Sequence, residues 1–123
     1  MAEEEITGET IIEDEVVASI AGLAAREIEG VTGLGKSSVR RILAEHLGGA
    51  ETRARGVEVE VGKTEAIVDL ELTIIYGFNI PNVVSEVRKK VASRLLEISG
   101  LIAKEINVHV VSLSFPEKTE KGR

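Results

Sequence analysis

Residues 57–76 read VEVEVGKTEAIVDLELTIIY. Val57, Val59 and Val61 alternate with Glu58 and Glu60, the pattern of a strand with one face in water. Gly62-Lys63-Thr64-Glu65 is a turn of hairpin length. A second strand then runs from about Ala66 to Tyr76, turning Val68, Leu70, Leu72 and Ile74 inward and Asp69, Glu71 and Thr73 outward. The stretch predicts an antiparallel hairpin that is dry on one face and wet on the other. The rest of the chain is read by what it brings to the dry face.

Downstream, Pro81 suits the first turn of a long helix, where its missing N–H costs nothing. Val84, Val87, Val91, Leu95 and Ile98 form its apolar stripe, Arg88, Lys89, Lys90 and Arg94 fall mostly on the other side, and Gly100 ends it. Upstream, Glu13-Asp14-Glu15 open another helix, since carboxylates suit the positive end of a helix dipole. Its stripe is Val16, Val17, Ile20, Leu23, Ala24 and Ile28, and Gly30 is expected to cap it. Thr10 to Ile12 reads as an edge strand or as the lead-in to this helix. A final strand, from about Glu105 to Phe115, starts with Ile106, Val108 and Val110 inward and then shifts to Val111, Leu113 and Phe115. That one-residue shift reads as a bulge or as an edge strand buried on both faces. Between the first helix and the hairpin, Ser37 or Ser38 caps a short helix carrying Val39, Ile42, Leu43 and Leu47, stopped by Gly48-Gly49. The expected fold is a single α+β domain over residues 9–115, a mixed or antiparallel sheet of three main strands packed against two long helices. An acidic lead (1–8) precedes it and a flexible polar tail (116–123) follows.

Composition narrows the chemistry. With 43% hydrophobic and 29% charged residues the chain is an ordinary globular mixture, not a disordered one. No cysteine is present, which removes disulfides, thiolate nucleophiles and cysteine-based zinc sites. Tyr76, Phe78 and Phe115 are the only aromatic residues, so the core is aliphatic and stacking on bases or sugars has few rings to use. No apolar run has the ~18 residues of a membrane span, and the start is acidic where a signal peptide is basic, so a cytoplasmic location is expected.

The candidate motifs are few. Gly30 to Ser37, G-V-T-G-L-G-K-S, satisfies the bare phosphate-loop spacing, but a helix precedes it where a phosphate loop follows a buried strand. His46 and His109 are the only imidazoles, and neither has the spaced acidic or imidazole neighbours of a metal site. Ser19, Ser85, Ser93 and Ser99 ride helices, where no nucleophile elbow forms. The basic residues of 36–55, with Arg88, Lys89, Lys90 and Arg94, offer phosphate contacts, yet the net charge is -6 and no GXXG loop joins two helices. No catalytic residue, metal, cofactor or small-molecule substrate is assigned, and nucleic acid is not the expected partner.

Three blocks carry a family resemblance. Glu13-Asp14-Glu15-Val16-Val17-Ala18-Ser19-Ile20-Ala21 with Glu29-Gly30-Val31, then Tyr76-Gly77-Phe78-Asn79-Ile80, then Gly100-Leu101 with Ile106-Asn107-Val108-His109-Val110, resemble in order and spacing the alkaline shock protein (envelope stress response) family. The resemblance runs from about Gly8 to Phe115, and it departs where Glu13 stands in place of a frequent serine cap. It implies a bacterial, non-enzymatic protein of general stress or cell-envelope physiology. It also implies self-association and a membrane-anchored protein partner that recruits the chain to the inner face of the membrane. A branch of similar size is tied by gene neighbourhood to acetyl-CoA carboxylase, which makes regulation of fatty-acid synthesis the alternative function, with nucleic-acid binding behind it.

Ile75 occupies the outward period of the second hairpin strand, and Tyr76, Phe78 and Ile80 follow before Pro81. A connection this apolar is either a lid folded over the core or an interaction patch. The family's habit of self-association favours the patch.

Overall fold

The computed structural model describes residues 6–35 and 56–116. Among the described residues six elements occur in chain order: α1 (Asp14–Arg26), β1 (Val31–Leu34), β2 (Val57–Val61), β3 (Glu65–Ile75), α2 (Ile80–Ser99) and β4 (Ile102–Ser114). The short helix expected between Ser37 and Leu47, the first five residues and the tail beyond Pro116 lie outside the described residues.

The hairpin forms as its alternation requires, with Val57 opposite Leu70 and Val61 opposite Ala66. β3 is the middle strand. β4 runs parallel to it along one edge, from Ile102 beside Glu65 to Ser114 beside Ile75. On the other edge two antiparallel strands lie end to end, β2 against Ala66 to Leu70 and β1 against Leu72 to Ile74. The sheet is therefore mixed and, among the described residues, has four strands rather than three main ones. The extra one, β1, is four residues long with Gly33 inside it, too short and too poor in side chains for a period of two to show. At the join, Gly35 N–H donates to the Glu71 carbonyl and Glu71 N–H donates to the Gly56 carbonyl, both at 2.8 Å.

Both helices cover one face of this sheet, and the core lies between. Ala66, Val68, Leu70, Leu72 and Ile74 of β3 are buried against Val17, Ala18, Ala21, Ala24 and Ala25 of α1 and Val83, Val87, Val91 and Leu95 of α2. α1 meets the sheet with small side chains, α2 with valines, and among the described residues no polar side chain is buried. The helices run antiparallel, for Gly30, just past the end of α1, lies against Val83 in the first turns of α2.

The helical boundaries differ from expectation in instructive ways. α1 stops at Arg26, where Glu27 N–H turns back to the Ala24 carbonyl at 3.1 Å, so Gly30 belongs to the turn into β1. In α2 the buried line is Val83, Val87, Val91 and Leu95, one residue every turn, with Val84 only half-buried at its margin. Ile98 lies outside that line and is exposed, as are Val16 and Leu23 of α1. The Asn79 side chain caps α2 by accepting from Asn82 N–H at 2.9 Å. β4 begins at Ile102, earlier than its alternation indicates, and Lys104 and Val111 are each left unpaired where the register shifts. Of the two readings of the apolar shift at Val111, the bulge is the one observed.

Candidate interaction surface

At the far end of the sheet the edge strand β4 outruns the helical cover, while Ile74 beside it on β3 stays fully buried. Tyr76 N–H donates to the Ser114 carbonyl at 2.7 Å, tying the two strand ends together. Their side-chain extensions meet as well: the Tyr76 and Phe115 rings stack with centroids 5.7 Å apart. Both rings are open to solvent, at 62% and 67% exposure. Leu113 and Val110 pair with the buried Ile74 and Leu72 and so face the helix layer, yet both stay exposed. Phe78 and Ile80, in the turn and first residue of α2, are exposed in part. Phe78 presses one side of its ring against Gly30 and Val83; a Cβ on Gly30 would lie 3.1 Å from the ring and from Val83. The turn is thus partly a lid and partly a surface.

Of the four residues singled out in the sequence, Tyr76, Phe78 and Ile80 come to this end of the domain. Ile75 lies at the same end on its outward period, paired with Ser114 on the opposite face of the sheet and half-buried. Sequence reasoning missed Val110, Leu113 and Phe115 as surface residues. Their signal is the shifted apolar run after Val110, which the pattern reads as a bulge or as an edge strand buried on both faces.

The opposite face of the sheet is acidic. Register places Glu58, Glu60, Asp69, Glu71 and Glu105 there, with Asn107 donating to the Asp69 carboxylate at 2.9 Å. His109 pairs with Glu71 on the outward period, as its alternation indicates, and lines a shallow depression of about 340 Å³ with Glu58, Asp69 and Glu71. Among the described residues no group of three or more histidine, aspartate or glutamate side chains is arranged to hold a metal ion.

The basic face of α2 is already engaged. Arg88 donates to the Ile106 carbonyl at 2.9 Å, Lys89 lies 3.6 Å from Glu86, and Lys90 lies 3.8 Å from Glu27. Arg94 bridges Glu97 and Glu27, each at 3.1 Å; the hydrogen bond to Glu97, then the Glu27 charge, raise its pKa above the ordinary arginine value. The phosphate-loop spacing does not make a loop, because Val31 to Leu34, inside it, form a strand paired to β3. Lys36 and Ser37 of that motif lie outside the described residues. Among the described residues no helix is long and apolar enough to cross a membrane.

These features define a two-layer α+β domain, two antiparallel helices over one face of a mixed sheet, whose least satisfied surface is apolar. Solved structures of two MamM CTD variants have the same arrangement, each with a TM-score of 0.51 over 84% of this chain and 98% or 95% of theirs; at 12% and 13% identity they show the fold alone. Residues 2–115 match the alkaline shock protein 23 family, described by its cell envelope-related function, and the chain belongs to that family. The stress response regulator gls24 homolog of Streptococcus pyogenes serotype M3 is 30% identical over 94% of this chain, which spans 64% of that relative's length. YqhY of Bacillus subtilis is 28% identical over 93% of this chain and 83% of its own. YloU of the same organism is 31% identical over 84% and 86%. Family membership supports a role in cell-envelope or stress physiology.

Proposed function

We propose that this domain is a non-enzymatic protein–protein interaction module of cell-envelope or general stress physiology. The apolar end of the sheet is its contact surface, and a second copy of the chain is the occupant. One observation carries the reading. The chain has three aromatic residues, Tyr76, Phe78 and Phe115, and all three gather at this end with rings at least partly in water. An aliphatic core that spends none of its aromatic residues inside leaves them for contact with something else, and aromatic side chains are the ones enriched at protein interfaces. The stress-regulator relatives support the physiological setting. A membrane-anchored protein is the further partner that would bring such a module to the envelope.

The test is sedimentation velocity on the wild type and on Phe78→Asp with Ile80→Asp. The variant is expected to sediment as a smaller species with its far-UV circular dichroism unchanged. Because Phe78 also touches Val83, Tyr76→Ser is the second variant; it removes an exposed ring without reaching the core. A folded variant at both sites that keeps the wild-type sedimentation coefficient contradicts the assignment.

A further inference from the structure

β4 is an edge strand: it pairs with β3 along one side and with no other strand among the described residues. Backbone groups alternate along a strand, so residues that bond to β3 alternate with residues that point their N–H and C=O to the open side. Contacts near either end fix which are which. The Ser114 carbonyl accepts from Tyr76 on the β3 line, whereas the Ile106 carbonyl accepts from Arg88 of α2, off the sheet. Ile106, Val108 and Val110 therefore present their backbone to the open side. Natural sheets blunt such an edge with charges, lysines and bulges. The first half of β4 is blunted in this way: Lys104 stands unpaired in a bulge, Glu105 follows, and Arg88 occupies the Ile106 carbonyl. Beyond it, the outward N–H and C=O groups of Val108 and Val110 have no partner among the described residues, and the bulge at Val111 closes the stretch.

The space beside this edge has two sides of different chemistry. Ile80, Val84 and Arg88 recur every fourth residue of α2, and the reach of Arg88 to Ile106 shows that this row faces β4. Ile80 and Val110 are exposed and Val84 is half-buried, so the helix side is apolar and uncovered. The other side is the open face of the sheet, where Asp69, Glu71 and Glu105 make no ion pair with a lysine or arginine among the described residues. We infer that the edge at Val108 and Val110 accepts a short extended segment of a different protein, one that alternates apolar and basic residues. The guest adds a strand to the sheet by pairing its backbone with Val108 and Val110. Its apolar side chains then lie on Ile80, Val84 and Val110, and its basic ones turn toward Asp69, Glu71 and Glu105. A second β4 is the wrong guest, since it would bring its own Glu105 and the same acidic face against this one. The inference goes beyond the aromatic contact surface and does not depend on it, although Ile80 borders both.

The probe is a short fluorescein-labelled peptide of alternating valine and lysine, titrated with the full chain and followed by fluorescence anisotropy. It is expected to bind. Methylating its backbone nitrogens removes the strand hydrogen bonds while keeping the side chains and the charge, and should weaken binding about tenfold or more. A valine–glutamate peptide should be weakened as well, because it meets the acidic face. Val110→Pro deletes an N–H that the fold does not use and is a substitution that edge strands tolerate. Its far-UV circular dichroism should match the wild type while the valine–lysine peptide binds about tenfold more weakly. Tyr76→Ser should keep the full affinity, which separates this edge from the aromatic end. The inference is overturned if the valine–lysine peptide does not bind, if the methylated or glutamate peptide binds equally well, or if folded Val110→Pro loses nothing. Affinity lost in Tyr76→Ser would also overturn it, by placing the peptide at the aromatic end.

Discussion

Gly56→Ala tests the join on which the sheet is built. Gly56 and Gly100 share a left-handed backbone, with φ of 83° and 79°. An alanine in that region costs about 1–2 kcal/mol, offset by about 0.4–1 kcal/mol because the unfolded chain loses freedom as well. At Gly100 a Cβ meets nothing within 4 Å, so Gly100→Ala should cost only this difference, about 1 kcal/mol. At Gly56 the Cβ would lie 2.5 Å from the amide nitrogen of Gly35 and 3.0 Å from the Glu71 carbonyl oxygen, both backbone atoms. Relief requires the ends of β1 and β2 to part. That removes the 2.8 Å bond from Gly35 to Glu71 and strains the one from Glu71 to Gly56. A lost hydrogen bond at a buried site costs about 1–3 kcal/mol, which brings Gly56→Ala to about 2–4 kcal/mol, a large share of the ~5–15 kcal/mol of a whole domain. Melting followed by far-UV circular dichroism should show a fall of about 6–20 °C for Gly56→Ala against about 3–5 °C for Gly100→Ala. Equal falls would refute the reasoning, since they would mean that Gly35 and Gly56 do not meet.

Leu70→Ala, at a fully buried position in the centre of β3, should destabilise by about 2–5 kcal/mol in urea titration with the slope unchanged. Arg94→Gln should leave the melting temperature within experimental scatter at low and high salt, because the pairs with Glu27 and Glu97 sit in water. Millimolar ATP or GTP with magnesium should not raise the melting temperature; a rise of several degrees that disappears in Lys36→Ala would contradict the strand assignment of Val31 to Leu34.

The hairpin and α2 were legible because each repeats its period long enough to be unambiguous. Five alternating residues in β2 and the buried line from Ala66 to Ile74 in β3 leave no other reading. What the pattern could not supply was which apolar residues end up covered. Val84 and Val83 are adjacent valines, and only the start of α2 at Ile80, set by the Asn79 cap, decides that Val83 turns inward. Ile98, Val16 and Leu23 fit a helical stripe by spacing, but the helix layer has a far side, and a stripe wide enough to wrap α1 cannot all reach one sheet. The parallel pairing of β4 with β3 was hidden because an inward alternation looks the same in either direction. For the candidate surface, Tyr76, Phe78 and Ile80 were found from an apolar turn, while Val110, Leu113 and Phe115 were concealed inside a strand whose residues look like core until the reach of α2 is known.

Tyr76 is the only tyrosine and the chain has no tryptophan, so its fluorescence reports on the aromatic end alone. Acrylamide quenching of that emission, measured as protein concentration is raised through the range in which the sedimentation coefficient increases, tests the contact surface directly. The exposed ring should be readily quenched in dilute protein and progressively shielded as copies associate. Quenching that stays constant while the sedimentation coefficient rises would place self-association elsewhere and contradict the assignment.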